Sequence, residues 1–167
     1  MAECHEIIGD DESRVNKYFN IIQVSIDWMN NHNVYQWYYS EGTTYVEKIG
    51  IHALYDIWGM YRAWQRKDKL NVSKSVMVKL ARTMMYVINL DIDNKIATRV
   101  DGTYNSTETT ATLYGPWAFY AEFIPNWYNV VANANINKVN TGPEYIGALL
   151  WVKASRRRSL ISPSNIE

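Results

Sequence analysis

Few side chains in this sequence can do chemistry, and their spacing limits what they can do. The soft and imidazole metal ligands are Cys4, His5, His32 and His52. They share no spacing used by a tetrahedral zinc site, and Cys4 and His5 lie beside a terminus. Asp91, Asp93 and Asn94 have the spacing that opens a calcium loop, but Lys95 stands at a ligand position and no Glu closes the loop. Neither a Gly-x-Ser-x-Gly elbow nor a glycine-rich phosphate cradle after a strand occurs. Cys4, the single cysteine, has no intrachain disulfide partner and reads as a bystander thiol. The expectation is a chain without metal or cofactor and without enzymatic activity.

Carboxylates near aromatic residues are the remaining catalytic option, because paired acids for glycoside chemistry can be far apart in the chain. Asp56, Asp101, Glu108 and Glu122 have such neighbours. Tyr55, Trp58, Tyr61 and Trp64 recur every three residues on one helix, which resembles the inner helices of α/α-barrel carbohydrate enzymes. The likeness covers that one helix, carries no diagnostic motif, and the chain is too short for the repeated helix pairs of such a barrel. It implies an aromatic sugar platform. A spacing of three also drifts around a helix, so two of these rings should face a core and two should face outward.

Cations cluster in two places. Arg62, Arg66, Lys67 and Lys69 end one predicted helix, and Lys153, Arg156, Arg157 and Arg158 end the last. Cations there suit the negative end of a helix dipole. Three consecutive arginines exceed what termination needs, so both clusters are also candidate phosphate contacts to a nucleic acid, with Trp64 or Trp151 available for stacking.

The elements that must position these groups are helical. Asp10-Asp11-Glu12-Ser13 starts a helix whose apolar face is Val15, Phe19, Ile22, Ile26 and Met29. Val34 to Tyr39 is short and β-prone. Thr44 and Glu47 match a capping box, starting a second helix that runs to about Arg66. Gly50 and Gly59 within it each cost about 1 kcal/mol relative to Ala, which points to a close neighbour or a kink. A third helix starts near Asn71 or Ser73, and its broad face (Val76, Met77, Leu80, Ala81, Met84) implies deep burial. Turn signals at Asp93-Asn94 and Asp101-Gly102 flank a small β-hairpin near residues 90–104. Gly115-Pro116 and Gly142-Pro143 each start a helix, the first ended or kinked by Pro125. The fold class is therefore mainly α: a single-domain bundle of about five helices across residues 1–167, with arm-like terminal segments.

Composition points to function only indirectly. The chain has 167 residues with 17 basic and 17 acidic side chains, so no global field draws it to DNA or an anionic membrane. It carries 7 Trp and 13 Tyr against 3 Phe, and Tyr and Trp favour boundaries between apolar and wet surroundings. The acidic N-terminal residues do not read as a signal peptide, and no apolar run reaches the roughly 20 residues of a membrane span. A cytoplasmic or virion location follows. We expect a self-assembling homo-oligomeric structural protein, most concretely a viral coat or nucleocapsid-type subunit. Tyr35, Trp37, Tyr38, Tyr39, Trp64 and Trp127 would be its interface, and the arginine clusters its nucleic-acid contacts. The alternatives are a carbohydrate-binding or carbohydrate-active helical module and a small helical adaptor for one protein partner.

Overall fold

A computed structural model of the chain describes residues 12–13, 15–17, 19–20, 23, 37–39, 43–66, 68–90, 95–107, 112–133 and 142–161, the side chains of the last helix through residue 156. The described residues between 12 and 23 are helical, with Val15 and Phe19 buried as their spacing predicts. Ile22, Ile26 and Met29 lie outside the described residues. Four further α-helices follow: α1 (Ile51–Gln65), α2 (Lys74–Thr83), α3 (Trp127–Ala132) and α4 (Pro143–Ile161). A π turn (Met84–Ile88) continues α2, and a 3-10 helix (Gly115–Glu122) precedes α3. The chain is mainly helical, and the described residues form no strand.

Local chemistry accounts for two of the helix starts. Ser73 caps α2 by accepting the Val76 N–H at 3.3 Å, one of the donors a helix start leaves unpaired. The broad face of α2 is buried as expected, with Val76, Met77, Leu80, Ala81 and Met84 all at 4% exposure or less. Pro116 stands at the start of the 3-10 helix, where its missing N–H costs nothing. This segment is 3-10 rather than α-helical, so Trp117, Tyr120 and Phe123, three residues apart, form a single ridge.

That short helix is the hub of the core. It packs most extensively on α4 and next on α1 and α3. Trp117 and Tyr120 are fully buried within it, and the Tyr120 hydroxyl donates to the Ile57 carbonyl of α1 at 2.8 Å. Burial pushes the Tyr120 phenol well above its ordinary range. Tyr145 on α4 ties to the Val131 carbonyl of α3, and burial raises its phenol to about 12.

Two expectations need correction. The Thr44–Glu47 capping box does not form: α1 starts after Gly50, with no side-chain cap. Residues 45–49 are instead held by long-range backbone bonds, Glu47 N–H to the Trp37 carbonyl (3.1 Å) and Val100 N–H to the Glu47 carbonyl (3.0 Å). Those partners override the local signal, and Glu47 is buried with its carboxylate accepting its neighbour Lys48's N–H. The hairpin near 90–104 is reduced to one antiparallel bridge, Asn89 to Ile96, followed by a turn at Gly102, whose φ of +90° favours glycine. Asp91 to Asn94 lie outside the described residues.

Candidate docking groove

The four aromatics of α1 divide as helical geometry requires. Tyr55 and Trp58 are 59% and 42% exposed, Tyr61 is buried and Trp64 is half-buried. The inward pair shares one acid. Tyr61 Oη donates to Glu122 Oε2 at 2.8 Å, and Trp64 Nε1 donates to Glu122 Oε1 at 3.2 Å. Desolvation, then the Glu122 carboxylate, raises the Tyr61 phenol well above its usual range. Both oxygens of the exposed Glu122 thus tie the 3-10 helix to α1.

The outward pair borders an open groove of about 830 Å³ between α1 and α4, floored by the 3-10 helix. Its floor is aromatic. Phe119 stacks on Tyr61 with ring centres 5.0 Å apart, and Trp151 of α4 meets Phe119 edge-on at 5.3 Å. Trp58 and Tyr55 form one wall; Glu144, Gly147 and Trp151 form the other. Arg62, Gln65 and Arg66 lie at the C-terminal end of α1's wall. Gly59 and Gly147 face each other's helices with space above them, since a Cβ added at either would meet no atom within 4 Å. The expected close neighbour at Gly59 is absent, and the glycine leaves open space in the groove wall.

The apolar surface extends beyond the groove. Ile51, Tyr55 and Trp58 recur at four and three residues, which places them on one exposed stripe of α1. Ile146, Leu150 and Trp151 are exposed on α4. The stretch 145–152 of that helix is apolar throughout, with Tyr145, Ala148 and Val152 buried beneath. A helix of this kind has two faces to cover. The apolar run of residues 145–152 is the sequence signal for a second contact surface; Phe119, Glu144 and Gly147 carry no signal of their own.

The interface candidates scatter. Tyr38 and Tyr39 are exposed, and Tyr39 sits edge-on to Tyr45 and His52. Trp64 is half-buried through its Glu122 bond. Trp37 and Trp127 are interior and cannot meet another subunit. Trp127 is fully buried and donates its indole N–H to the Trp117 carbonyl at 2.8 Å. Trp37 is 7% exposed and donates to Asp56 Oδ2 at 3.0 Å. Tyr35 lies outside the described residues.

The cations have roles within the fold. Arg66 pairs with Asp68 at 3.1 Å and covers the Phe19 ring at 5.1 Å. Arg62 donates to Gln65 at 2.8 Å. Arg156 covers the Tyr128 ring at 5.6 Å and reaches the Pro125 carbonyl. Lys69 and Lys153 are exposed. Lys67 and the side chains of Arg157 and Arg158 lie outside the described residues, as do Cys4, His5, His32 and Glu108. Arg62 and Arg66 share the groove, whereas Arg156 packs against α3 and the turn before it, so the structure does not join the two clusters into one strip.

No family model matches this chain, and no curated protein or solved structure does either. Among the described residues no three His, Cys, Asp or Glu side chains gather as a metal site, and no helix is long and apolar enough to cross a membrane.

The Asp56 carboxyl, on the far side of α1 from Tyr61, is held above the usual carboxylate range. Desolvation pushes it up to about 6, the Trp37 bond opposes this, and the nearby Glu47 charge adds to it. The folded state therefore holds the Asp56 proton more tightly than the unfolded chain, and this group's contribution to stability grows as pH falls from above 6 towards 4. Asp56 keeps an exposed side, so solvent screening holds the effect small. Asp56→Asn, which can still accept from Trp37, should raise the unfolding midpoint at pH 8, with the gain vanishing near pH 4. Thermal melts of both proteins across that range check this.

Proposed function

We propose that the protein is a non-enzymatic, self-associating structural subunit, and that its α1/α4 face is a subunit contact. The observation that carries this reading is the pairing of an open aromatic groove with exposed apolar stripes on both flanking helices. Lone exposed apolar residues are ordinary, but contiguous patches rimmed by polar groups mark interaction sites. Trp and Tyr at the centre of such a patch are the residue types that dominate binding energy. A coat or nucleocapsid-type subunit is the most concrete form of the proposal, because repetition over many copies would multiply the weak phosphate attraction of exposed cations such as Lys69 and Lys153.

Light scattering during size exclusion tests the central part. Wild-type protein should elute as an oligomer at high concentration, and Trp58→Ser should shift it to monomer with little change in melting temperature, since the ring is half in water. A wild-type protein that remains monomeric at every concentration overturns self-association.

One observation favours a second reading, a carbohydrate-binding helical module: the groove volume falls within the roughly 300–1,000 Å³ typical of small-ligand sites, and its walls are aromatic. Glycan-induced quenching of Trp fluorescence in a monomeric wild type, lost in Trp58→Ser, would replace assembly with sugar binding.

A further inference from the structure

The two ends of the groove differ in charge, and their order along it follows from the packing. Gly115 of the 3-10 helix lies against Glu144, its added Cβ falling 2.9 Å from that residue's carbonyl oxygen. Four residues later Phe119 meets both Trp151 and Tyr61, the neighbour of Arg62. Further on, Glu122 meets Tyr61 and Trp64. The 3-10 helix, α1 and α4 therefore advance in the same direction. Glu144 stands at one end of the groove and Arg62 about 10 Å along it, seven residues at 1.5 Å each on α4. The Trp58 ring and the hollow over Gly59 and Gly147 lie in the stretch between, and the Trp151 ring stands at the Arg62 end.

We infer that a second copy of this chain occupies the groove, related by a two-fold axis that lies in this face and runs diagonally from the Tyr55 end of α1 to the Trp151 end of α4, so that Arg62 of each copy meets Glu144 of the other. This rests on the self-association proposed above and identifies its geometry. Reversing an acid–aromatic–base series produces its complement, which is the requirement of an isologous interface. A guanidinium carries five donors and serves several acceptors at once, so the bond from Arg62 to Gln65 is compatible with a carboxylate arriving from the partner. The exposed Trp58 ring and the open space over the two glycines lie at the middle of this face, where the second copy must fit.

Charge reversal tests this arrangement in the full-length protein. Arg62→Glu and Glu144→Arg each place like charges at both reciprocal contacts, and each should weaken association by about tenfold or more. Both positions are exposed, so circular dichroism melts should match wild type. An equimolar mixture of the two variants should associate again, because every contact in the mixed pair joins opposite charges. The double variant R62E/E144R should also pair with itself. If wild type associates and the single variants do so equally well, or if the mixture stays monomeric, this geometry is wrong while self-association stands. A wild type that is monomeric throughout overturns both. Protection of the groove from hydrogen exchange in that monomer would show that another segment of the same chain fills it.

Discussion

Trp127→Ala is expected to lower the stability of the fold by about 3–5 kcal/mol, the usual cost of removing a large buried aromatic side chain. Trp127 has no exposed surface, so the residual cavity cannot be filled by solvent-facing rearrangement. Its indole N–H also serves the Trp117 carbonyl at 2.8 Å, well inside the protein. Trp127→Phe separates the two contributions. It keeps most of the apolar volume but removes the indole donor, and the lost hydrogen bond costs about 0.5–1.5 kcal/mol. Trp117→Phe is the informative control. Trp117 is equally buried, yet its Nε1 is the one buried side-chain nitrogen or oxygen among the described residues that has no hydrogen-bond partner. Removing an unsatisfied donor recovers part of the volume loss, so Trp117→Phe should cost less than Trp127→Phe. Urea titrations of the three variants give the ranking, and a smaller loss for Trp127→Phe than for Trp117→Phe would contradict it.

Trp127 and Trp37 show where residue type stops being informative. Trp and Tyr are read as boundary residues because each has a polar tip that wants water or a partner. Trp127 and Trp37 find those partners inside, a backbone carbonyl ten residues away and the Asp56 carboxylate nineteen residues away. Nothing in the local sequence reveals such an acceptor. Signals that depend on neighbours within a turn fared better. The Ser73 cap, the period of α2, and the Gly-Pro starts at 115 and 142 all correspond to observed helix beginnings. The capping pattern at Thr44 is equally local and fails, because the backbone of Glu47 is claimed from both sides by Trp37 and Val100. Helical drift correctly sorted the α1 aromatics into an outward and an inward pair, since that rule depends only on 3.6 residues per turn. The groove itself was not legible, because its walls come from α1 and α4 and its floor from a 3-10 helix between them in sequence.

Glycine substitutions should separate the residues that hold the groove's walls together from those that keep it open, and they should do so with opposite signs. Gly115→Ala is expected to destabilise the fold by about 1–3 kcal/mol, as overpacking does. Its Cβ would lie 2.9 Å from the Glu144 carbonyl oxygen and 3.1 Å from the Ala148 Cβ. The first obstacle is backbone in the first turn of α4, so relief requires α4 to move away from the 3-10 helix. Gly147→Ala, on the same helix one turn further along, should instead stabilise by about 0.5–1 kcal/mol. An added Cβ there meets nothing within 4 Å, and alanine is the better helix former. Gly59→Ala on α1 should behave likewise. These two glycines therefore carry a helix-propensity cost that packing within the protomer does not explain. The cost is explained if something enters the space they leave, in which case the stabilising substitutions should weaken association even as they raise the melting temperature. Thermal melts and light scattering on the same samples read both effects. Gains in stability with unchanged association would show that the hollow over Gly59 and Gly147 receives no partner.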